Sequence, residues 1–400
     1  MEKKIFYIGN FSFPHGNASG TRVFGNGCLL RDLEYDVSYI GLDKNLKSNS
    51  DIFETKQAYK DFTYYNLPYP VGIKGWLSYK QRFKEVISVI EKEKPFAVIT
   101  YGSPTISLFG KLLKKWCRNS NVLCIADCVD WLPAKSGNIF FRITKYLDTT
   151  YQKRFFNSNT DGVITVSSFL SNYYKKKQCK TVIIPPLVDI SRYKVLYSEN
   201  KINEIFTKRL IYVGQPFALD GRKVKKGSYK DRIDIIIDVL YQLKKMNFIF
   251  DIYGLTRDQY LKVIPEHKYK LNSLNDKVRF HGFIDNNDAI IKIADVDFTV
   301  LLRNINKSTT AGFPTKFVES ISCGTPIVTT KTSDLESYIE EGKSGYFVDI
   351  ENIDILTNKF KEIFLLKKER ILEMKNYCRD SELFSFKKYV HGMNSFINQL

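Results

Sequence analysis

Lys316 and Glu319 lie in the stretch AGFPTKFVESISCGTPIVTT, residues 311–330, and their types and spacing could bind a ligand. The pattern predicts a loop, a short helix that ends at Gly324, and a strand after Pro326. Free N–H groups at a helix start favour an anion, and Lys316 adds a positive charge there. Glu319 follows on the same face, where a carboxylate can accept two hydrogen bonds from a vicinal diol. The combination suits the diphosphate and ribose of a nucleotide, although a solvated Lys–Glu pair is the simpler alternative.

The elements around this stretch alternate between strand and helix, which is typical of a parallel sheet with helices on both faces. Runs such as IFYIGNF, DVSYIGL and FAVITYG fill the first half, and the alternation restarts at RLIYVGQP. We therefore predict an α/β protein with doubly wound domains at 1–190 and 206–380, and a C-terminal helix at 381–400 that packs back on the first domain. The strand DFTVLLR places residues 311–330 at the carboxyl end of a sheet, where ligands bind.

The composition points to an anionic partner. Of the 400 residues, 61 are Lys or Arg and 43 are Asp or Glu, and residues 1–190 hold 27 of the basic and 16 of the acidic ones. Phosphates, nucleic acid and an anionic membrane surface all attract such a chain. Seven scattered cysteines without zinc spacing suggest reduced thiols in a cytoplasmic protein, and no apolar run is long enough to span a membrane. The motifs GxGxxG and GxxxxGKS/T are missing, which argues against a dehydrogenase or a P-loop NTPase.

The stretch 311–330 resembles the signature of the GT-B glycosyltransferases of the glycosyltransferase 4 family. Its P-T-K-x-x-E-x-x-x-x-G-x-P form resembles a branch that builds bacterial surface polysaccharides such as capsule. LIYVGQP and VRFHGFI are similar to strands of that family's C-terminal domain, and GVITVSSFL and VIIPPLVD to strands before its interdomain linker. The resemblance covers most of the chain. It implies two Rossmann-like domains that face each other across a cleft, and sugar transfer from a nucleotide diphosphate.

The resemblance implies roles for individual residues of this stretch. The second glutamate of the family's motif, here Glu319, binds the donor ribose. The first glutamate commonly contacts the donor sugar, and because that position is Ala311 here, the sugar contact has no assigned residue. We expect Phe313, Pro314 and Thr315 to line the sugar and phosphate site instead, through their backbone N–H groups.

Cations for the donor phosphates are expected from three places. The family's arginine, which follows the first C-terminal strand, falls on Gln215 next to Gly214. Its lysine falls within YKDRID, where Lys230 is the first choice and Arg232 the second. Arg303, at the end of DFTVLLR, points into the crevice by the geometry of a strand end, with a surface salt bridge as its alternative role. The basic loop at 222–226 is more typical of solvated side chains than of a phosphate clamp.

The N-terminal domain is expected to bind the acceptor. Gly16, Ser19 and Gly20 belong to a loop after the first strand that allows close backbone approach to an acceptor or a phosphate. The segment IADCVDWLP ends another strand, where the family often has a histidine and this sequence has none. The sugar contact is therefore expected from Asp127 or Asp130, although both suit a turn or a helix cap equally well.

The resemblance also implies a reaction that uses no bound metal and no cofactor and retains the anomeric configuration. Negative charge on the leaving diphosphate is stabilised by N–H groups and cations. We assign catalysis to Glu319, Lys230 and Asp130. The expected donor is UDP- or GDP-linked, and the expected acceptor is a glycan or a lipid-linked oligosaccharide. The helix TISLFGKLLKKWCR has the basic, amphipathic character of a contact with an anionic inner leaflet, which would make a cytoplasmic protein peripheral to the membrane.

Three other functions remain open at this stage. A non-catalytic GT-B protein that binds a glycan or stabilises another transferase would explain Ala311 and Gln215. A nucleic-acid binder is suggested by charge alone, without interleaved aromatics or base-reading elements, and no nucleic-acid partner is expected. A GT-B epimerase would invert a free sugar without any acceptor.

Overall fold

The computed structural model describes residues 3–14, 18–72, 75, 79–102, 105–131, 139–194, 207–219, 224, 227 and 229–400. The chain divides into two compact units by the contacts among its Cα atoms. Unit 1 comprises Met1–Asp189, Ala311–Phe313 and Ser385–Leu400, and unit 2 comprises Ile190–Thr310 and Pro314–Phe384. The basic loop 222–226 lies outside the described residues apart from position 224.

Unit 1 is built on one sheet of eight strands. They are β1 (Lys3–Gly9), β2 (Tyr35–Asp43), β3 (Gln57–Tyr59), β4 (Phe62–Pro68), β5 (Ala97–Tyr101), β6 (Leu123–Cys128), β7 (Gly162–Thr165) and β8 (Thr181–Ile183). Their order is β3-β4-β2-β1-β5-β6-β7-β8. All neighbours pair in parallel except β3, which runs antiparallel to β4. The β3–β4 pair was not predicted from the sequence, although the aromatic run FTYYNLP has the composition of a buried strand.

Helices cover both faces of this sheet. They are α1 (Ala18–Arg31), α2 (Phe83–Glu93), α3 (Thr105–Asn119), α4 (Ile139–Tyr151) and α5 (Ser168–Lys175). Alternate residues of β1 enter different cores, because side chains of a strand point to opposite faces. Ile5 and Tyr7 pack with residues of α1, while Phe6 and Ile8 pack with residues of α2 and α3. The predicted doubly wound, parallel architecture is confirmed for this unit.

Unit 2 repeats the architecture on a smaller, fully parallel sheet. Its strands are β9 (Lys208–Val213), β10 (Phe248–Tyr253), β11 (Val278–Gly282), β12 (Phe298–Leu301), β13 (Ile327–Thr329) and β14 (Gly345–Phe347). Their order is β11-β10-β9-β12-β13-β14. Its helices are α6 (Ile190–Lys194), α7 (Ile233–Gln242), α8 (Arg257–Val263), α9 (Lys268–Leu274), α10 (Asn286–Ala294), α11 (Lys307–Ala311), α12 (Thr315–Ser322), α13 (Ile353–Leu365) and α14 (Lys368–Ser381). Because β9 and β12 are neighbours, the loops at their carboxyl ends emerge side by side.

The end of the chain belongs to unit 1. Helix α15 (Val390–Ile397) packs against α1 and β8. Its Met393 and Phe396 join the core that contains Ile5 and Tyr7. A side chain at Gly162 would collide with the ring of Phe396, so this packing depends on a residue without a Cβ in β7. Within the described part of the chain, no helix combines the length and the apolar character needed to cross a bilayer.

A buried ion pair fixes α1 against the sheet of unit 1. Arg22 of α1 donates to the carboxylate of Asp127 in β6, with Nη2–Oδ1 and Nε–Oδ2 distances of 2.6 and 2.9 Å. Tyr7 donates its hydroxyl to the same carboxylate, and Asn26 donates to Tyr7 at 3.0 Å. Arg22 and Asp127 are 3% and 2% exposed. A buried carboxylate with this many donors is a structural group that ties three elements together.

Removing this carboxylate is expected to destabilise unit 1 strongly. In Asp127→Ala the guanidinium of Arg22 stays buried without its anion, which costs about 3 to 5 kcal/mol of unfolding free energy. The double variant Arg22→Met/Asp127→Leu should lose less than Asp127→Ala, since it removes both charges. Urea denaturation measures both, with Asp32→Ala on the exposed end of the α1–β2 turn as the control. An unfolding free energy for Asp127→Ala equal to that of the control would contradict this role.

Candidate functional site

Helix α12 begins in a way that leaves donors for a ligand. Pro314 occupies the N-cap position with extended backbone, and no side chain of the described residues caps the helix. The amides of Phe317 and Val318 reach the carbonyl of Pro314. The helix dipole and the first N–H groups, those of Thr315 and Lys316, therefore favour an anion at this end. Pro314 has no N–H of its own, so the expectation that it donates through the backbone is wrong.

The far end of α12 is anchored in the sheet of unit 2. Ser320 donates to the carbonyl of Thr325 at 2.7 Å and lies 2.8 Å from the hydroxyl of Thr299 in β12. Gly324 adopts φ +74° after the helix, and the amides of Gly324 and Thr325 return to the carbonyls of Ile321 and Ser320. This is the Schellman arrangement that a glycine after a helix favours. The sequence therefore predicted the end of this helix correctly.

The lysine at the start of α12 belongs to a buried charge cluster. Lys316 forms an ion pair with the carboxylate of Asp231, and its Nζ lies 3.1 Å from the hydroxyl of Tyr212. Arg303 donates from Nε to the other oxygen of Asp231 at 2.7 Å. Tyr212 donates to Asp231 at 2.7 Å. The cluster thus holds two cations on one carboxylate and keeps one positive charge in excess.

The carboxyl ends of neighbouring strands bring this cluster together. Arg303 follows β12 and is fixed by hydrogen bonds in both directions with Thr330, whose hydroxyl lies 3.0 Å from its amide and 2.9 Å from its carbonyl. Tyr212 lies in β9, the strand next to β12. Asp231 precedes α7 and is fully buried. Arg303 therefore lies at a strand end, as expected, and its guanidinium donates to the carboxylate of Asp231.

Gly214 makes room for the lysine. It follows β9 with φ +136°, a conformation that other residues rarely adopt. A Cβ at this position would lie 2.5 Å from Nζ and 2.4 Å from Cε of Lys316. The absence of a side chain therefore lets the ammonium group reach Asp231. Gly214 is needed at this position because the side chain of Lys316 passes close to its Cα. The sequence alone did not reveal this contact.

Burial and charge act in opposite directions on the ionisable groups of this cluster. Burial would raise the pKa of Asp231, but Lys316 and Arg303 hold it well below its usual range. Burial, together with the nearby charges of Arg303 and Lys230, lowers the pKa of Lys316 to about 8 against the opposing effect of Asp231. At neutral pH both partners are therefore charged, and the excess charge is positive.

Glu319 lies one turn after Lys316 and is held by different partners. Asn286 at the start of α10 donates to Oε1 of Glu319 at 3.4 Å. Arg192 of α6 donates to Asn286 at 3.2 Å and also to Asn287. These hydrogen bonds hold the guanidinium of Arg192 near the carboxylate of Glu319. Burial raises the pKa of Glu319, while Asn286 and the two cations oppose that shift. The carboxylate keeps acceptor capacity for two further donors.

Other predicted donor-site residues lie in less specific surroundings. Lys230 and Gln215 are exposed. The amide of Lys230 donates to Pro216, and its charge contributes to the lowered pKa of Lys316. Arg232 is not brought to the cluster, because its guanidinium binds Asp234 at 2.8 Å and Asn304 at 2.8 Å. The roles of Lys230 and Gln215 stay predictions.

The remaining residues of the motif divide between the two units. Ala311 and Phe313 are buried, and Ala311 offers only a methyl group where the family motif has a carboxylate. Pro314, which belongs to unit 2, is also buried. The expected roles of Phe313 and Thr315 beside a donor sugar stay predictions.

Unit 1 contains a cavity of about 200 Å³, with several polar residues in its lining, at the carboxyl ends of β1, β5 and β6. Its lining includes Ser19 and Asp130, together with Asn10, Tyr101, Gly102, Asp127, Cys128, Val129, Thr149, Gln152, Lys153 and Asn157. Gly20 does not line it: its Cα approaches the carbonyl of Ser12, and a Cβ there would lie 2.2 Å from that oxygen. Gly16 lies outside the described residues. Asp130 is an exposed residue of the cavity lining. Asp127 also lines the cavity, but its carboxylate is buried in the ion pair with Arg22.

The sequence analysis missed Asp231, Tyr212 and Asn286. Asp231 stands between the two cations that were considered in YKDRID, and a single acid within a basic segment near a sheet edge was the available signal. Tyr212 occupies an inward position of β9, which a strand pattern does not distinguish from an ordinary core residue. Nothing in the sequence pattern pointed to Asn286.

Comparisons with known proteins find similarity to glycosyltransferases. Residues 203–380 match the model of the family described as Glycosyl transferases group 1. An uncharacterized glycosyltransferase of Methanocaldococcus jannaschii is 22% identical over 374 residues, which cover 93% of this chain and 91% of the relative. An uncharacterized glycosyltransferase of Haemophilus influenzae is 23% identical over 385 residues, 95% of each chain.

Solved structures show the same fold over the whole length. Sucrose-phosphate synthase from Thermosynechococcus elongatus superposes with a TM-score of 0.69 at 15% identity, and the match covers 99% of this chain and 98% of that one. Anabaena HepE, solved in complex with UDP and glucose, has a TM-score of 0.62 at 14% identity with all of both chains covered. These findings show a fold of two Rossmann-like domains of the GT-B type, and residues 203–380 are similar to the glycosyltransferase group 1 family.

Proposed function

We propose that this protein transfers a sugar from a UDP- or GDP-linked donor to a glycan or lipid-linked glycan, with retention of configuration and without a bound metal or cofactor. The observation that carries the proposal is the charge cluster of Lys316, Arg303 and Asp231 beside the uncapped start of α12. Its excess positive charge and free N–H groups suit a diphosphate. Glu319, one turn away, suits the ribose diol. The sugar class, hexosyl transfer included, and a place in the glycosyltransferase 4 family are parts of the proposal.

The chemistry follows from the order of these groups along α12. The diphosphate gains negative charge as the glycosidic bond breaks, and fixed donors at the helix start stabilise that charge without reorganisation. Retention is proposed to proceed with the diphosphate itself accepting the acceptor's proton. Lys230 is proposed to approach the same phosphates, and Asp130, in unit 1, to contact the acceptor sugar. A surface-polysaccharide acceptor carried on a lipid would place the protein in the cytoplasm, in peripheral contact with the membrane.

A screen of donors tests the proposal and separates it from its alternative. A nucleotide that binds only the folded state raises the melting temperature, so UDP, GDP and their sugar conjugates are expected to differ in a thermal-shift assay. Slow donor hydrolysis should accompany binding of the cognate sugar nucleotide. Binding without hydrolysis or transfer across the full donor panel would favour a non-catalytic GT-B protein, for which Ala311 in place of the motif glutamate is the supporting observation.

Glu319→Ala is expected to abolish transfer and to weaken UDP binding about 30-fold or more, because charge-assisted hydrogen bonds contribute about 2 kcal/mol or more. Isothermal titration measures the affinity, and Glu336→Ala on the surface of unit 2 is the control. The ligand 2′,3′-dideoxy-UDP separates the hydroxyl contact from other effects. Its affinity should be the same in wild type and Glu319→Ala. Normal turnover in Glu319→Ala would show that the site is elsewhere.

UDP affinity is expected to fall as the pH rises above about 8, where Lys316 loses its proton in the free protein. The decline approaches tenfold per pH unit for a single required proton. Because the folded pKa lies below that of an unfolded lysine, the same group makes the free energy of unfolding increase over this pH range. Lys316→Arg keeps its charge, so its UDP affinity should be nearly independent of pH between neutral and mildly alkaline solution. An equal pH dependence in both proteins would exclude this lysine as the titrating group.

A further inference from the structure

An exposed apolar stripe runs along α4 and the single π-helical turn that continues it, Gln152–Phe156. The stripe consists of Ile143, Tyr146, Leu147 and Phe155, which are 52%, 56%, 60% and 58% exposed. Their spacing places them on one side of the helix. Among the described residues of unit 1, the exposed large apolar side chains outside the stripe are Phe53, at 41%, and Val71, at 83%. Apolar exposure in this unit is thus concentrated on one element.

The helix that carries the stripe is fixed to the unit and does not need the stripe for its packing. Phe156 at its end is buried in the core beneath α2 and α3, and Tyr151 packs against the same core. Thr149, which is buried, and Gln152 line the cavity of unit 1. The segment therefore presents a polar wall to the cavity and an apolar stripe to solvent. An exposed stripe on an anchored helix indicates a surface that something covers.

Basic and aromatic side chains flank one end of the stripe. Segment 139–156 contains four basic residues and one acidic residue. Lys153 lies 4.6 Å from the ring centroid of Trp131, and Lys177 lies 5.0 Å from that of Tyr173. Lys177 also donates to the carbonyl of Arg154 at 2.9 Å, which places its charge next to the π-helical turn. Tryptophan, tyrosine and lysine beside an apolar helix face are typical of a membrane–water interface.

We propose that the stripe is a membrane-docking surface that lies in the headgroup region of an anionic bilayer, with α4 parallel to the membrane plane. This inference rests on the proposed function, because it presents the cavity of unit 1 to an acceptor carried on a lipid. The occupant is a bilayer and not a second copy of the chain, since the lysines and aromatic rings beside the stripe suit an anionic headgroup region. It also differs from the sequence-based expectation, which assigned membrane contact to the helix now numbered α3.

Vesicle flotation tests the surface directly. The stripe variant is Ile143→Ser/Tyr146→Ser/Leu147→Ser. The matched control changes the same residue types in unit 2, Ile355→Ser/Tyr269→Ser/Leu365→Ser, whose side chains are 60%, 58% and 67% exposed. Wild type and control are expected to float with vesicles of phosphatidylcholine and phosphatidylglycerol, and the stripe variant to bind about tenfold or more weakly. Binding should be weaker to phosphatidylcholine alone and should decrease with added salt.

Two further measurements separate the possible failures. If wild type does not float, or if the stripe variant floats like the control, the docking surface is wrong. If the stripe variant instead converts a dimer to a monomer in sedimentation velocity and still floats, the stripe is an interface between copies, which also overturns the proposal. Circular dichroism checks folding, and the single variant Leu147→Gln replaces the triple variant if that one unfolds. A UDP thermal shift on the same proteins should be unchanged, and its absence in wild type would count against the proposed function alone.

Discussion

The buried carboxylate of Asp231 is the constraint on which the candidate donor site depends. Lys316 and Arg303 come from segments on either side of α11 and would repel each other without an anion between them. Asp231 holds both side chains in place and leaves one positive charge for a ligand. In the proposed function, a diphosphate would bind without first organising these cations, which is electrostatic preorganisation.

The parallel sheet explains how distant segments reach this carboxylate. In a parallel α/β sheet, the loops after adjacent strands emerge on one edge. Gly214 follows β9 and Arg303 follows β12, its neighbour, while α12 leads from this edge toward β13. The close contact of Lys316 with Gly214 shows how tightly the edge is packed. The parallel order of the strands thus brings residues that are far apart in the sequence within a few ångströms of each other.

The two aspartates at the end of β6 show how tertiary structure divides similar residues between roles. Asp127 and Asp130 are three residues apart and were equal candidates for a sugar contact. Asp127 lies inside the sheet and is bound by Arg22 and Tyr7, so its carboxylate stabilises unit 1. Asp130 lies beyond the strand at the cavity of unit 1. The difference follows from burial, because a carboxylate within a strand must be paired, whereas one after the strand can meet a ligand.

The sequence by itself determined the doubly wound architecture, the start and end of α12, and the positions of Lys316, Glu319 and Arg303 at a sheet edge. These follow from local rules: the alternation of strands and helices, a proline before a helix and a glycine after it. Tertiary structure alone decided the partners. Asp231, and not a neighbouring residue, is the buried anion of the cluster. Arg232 binds Asp234 and Asn304 and therefore does not join the cluster. The apolar stripe on α4 stays exposed. The pairing and the exposure of a side chain depend on which residues from distant segments lie next to it. A local sequence pattern does not contain that information.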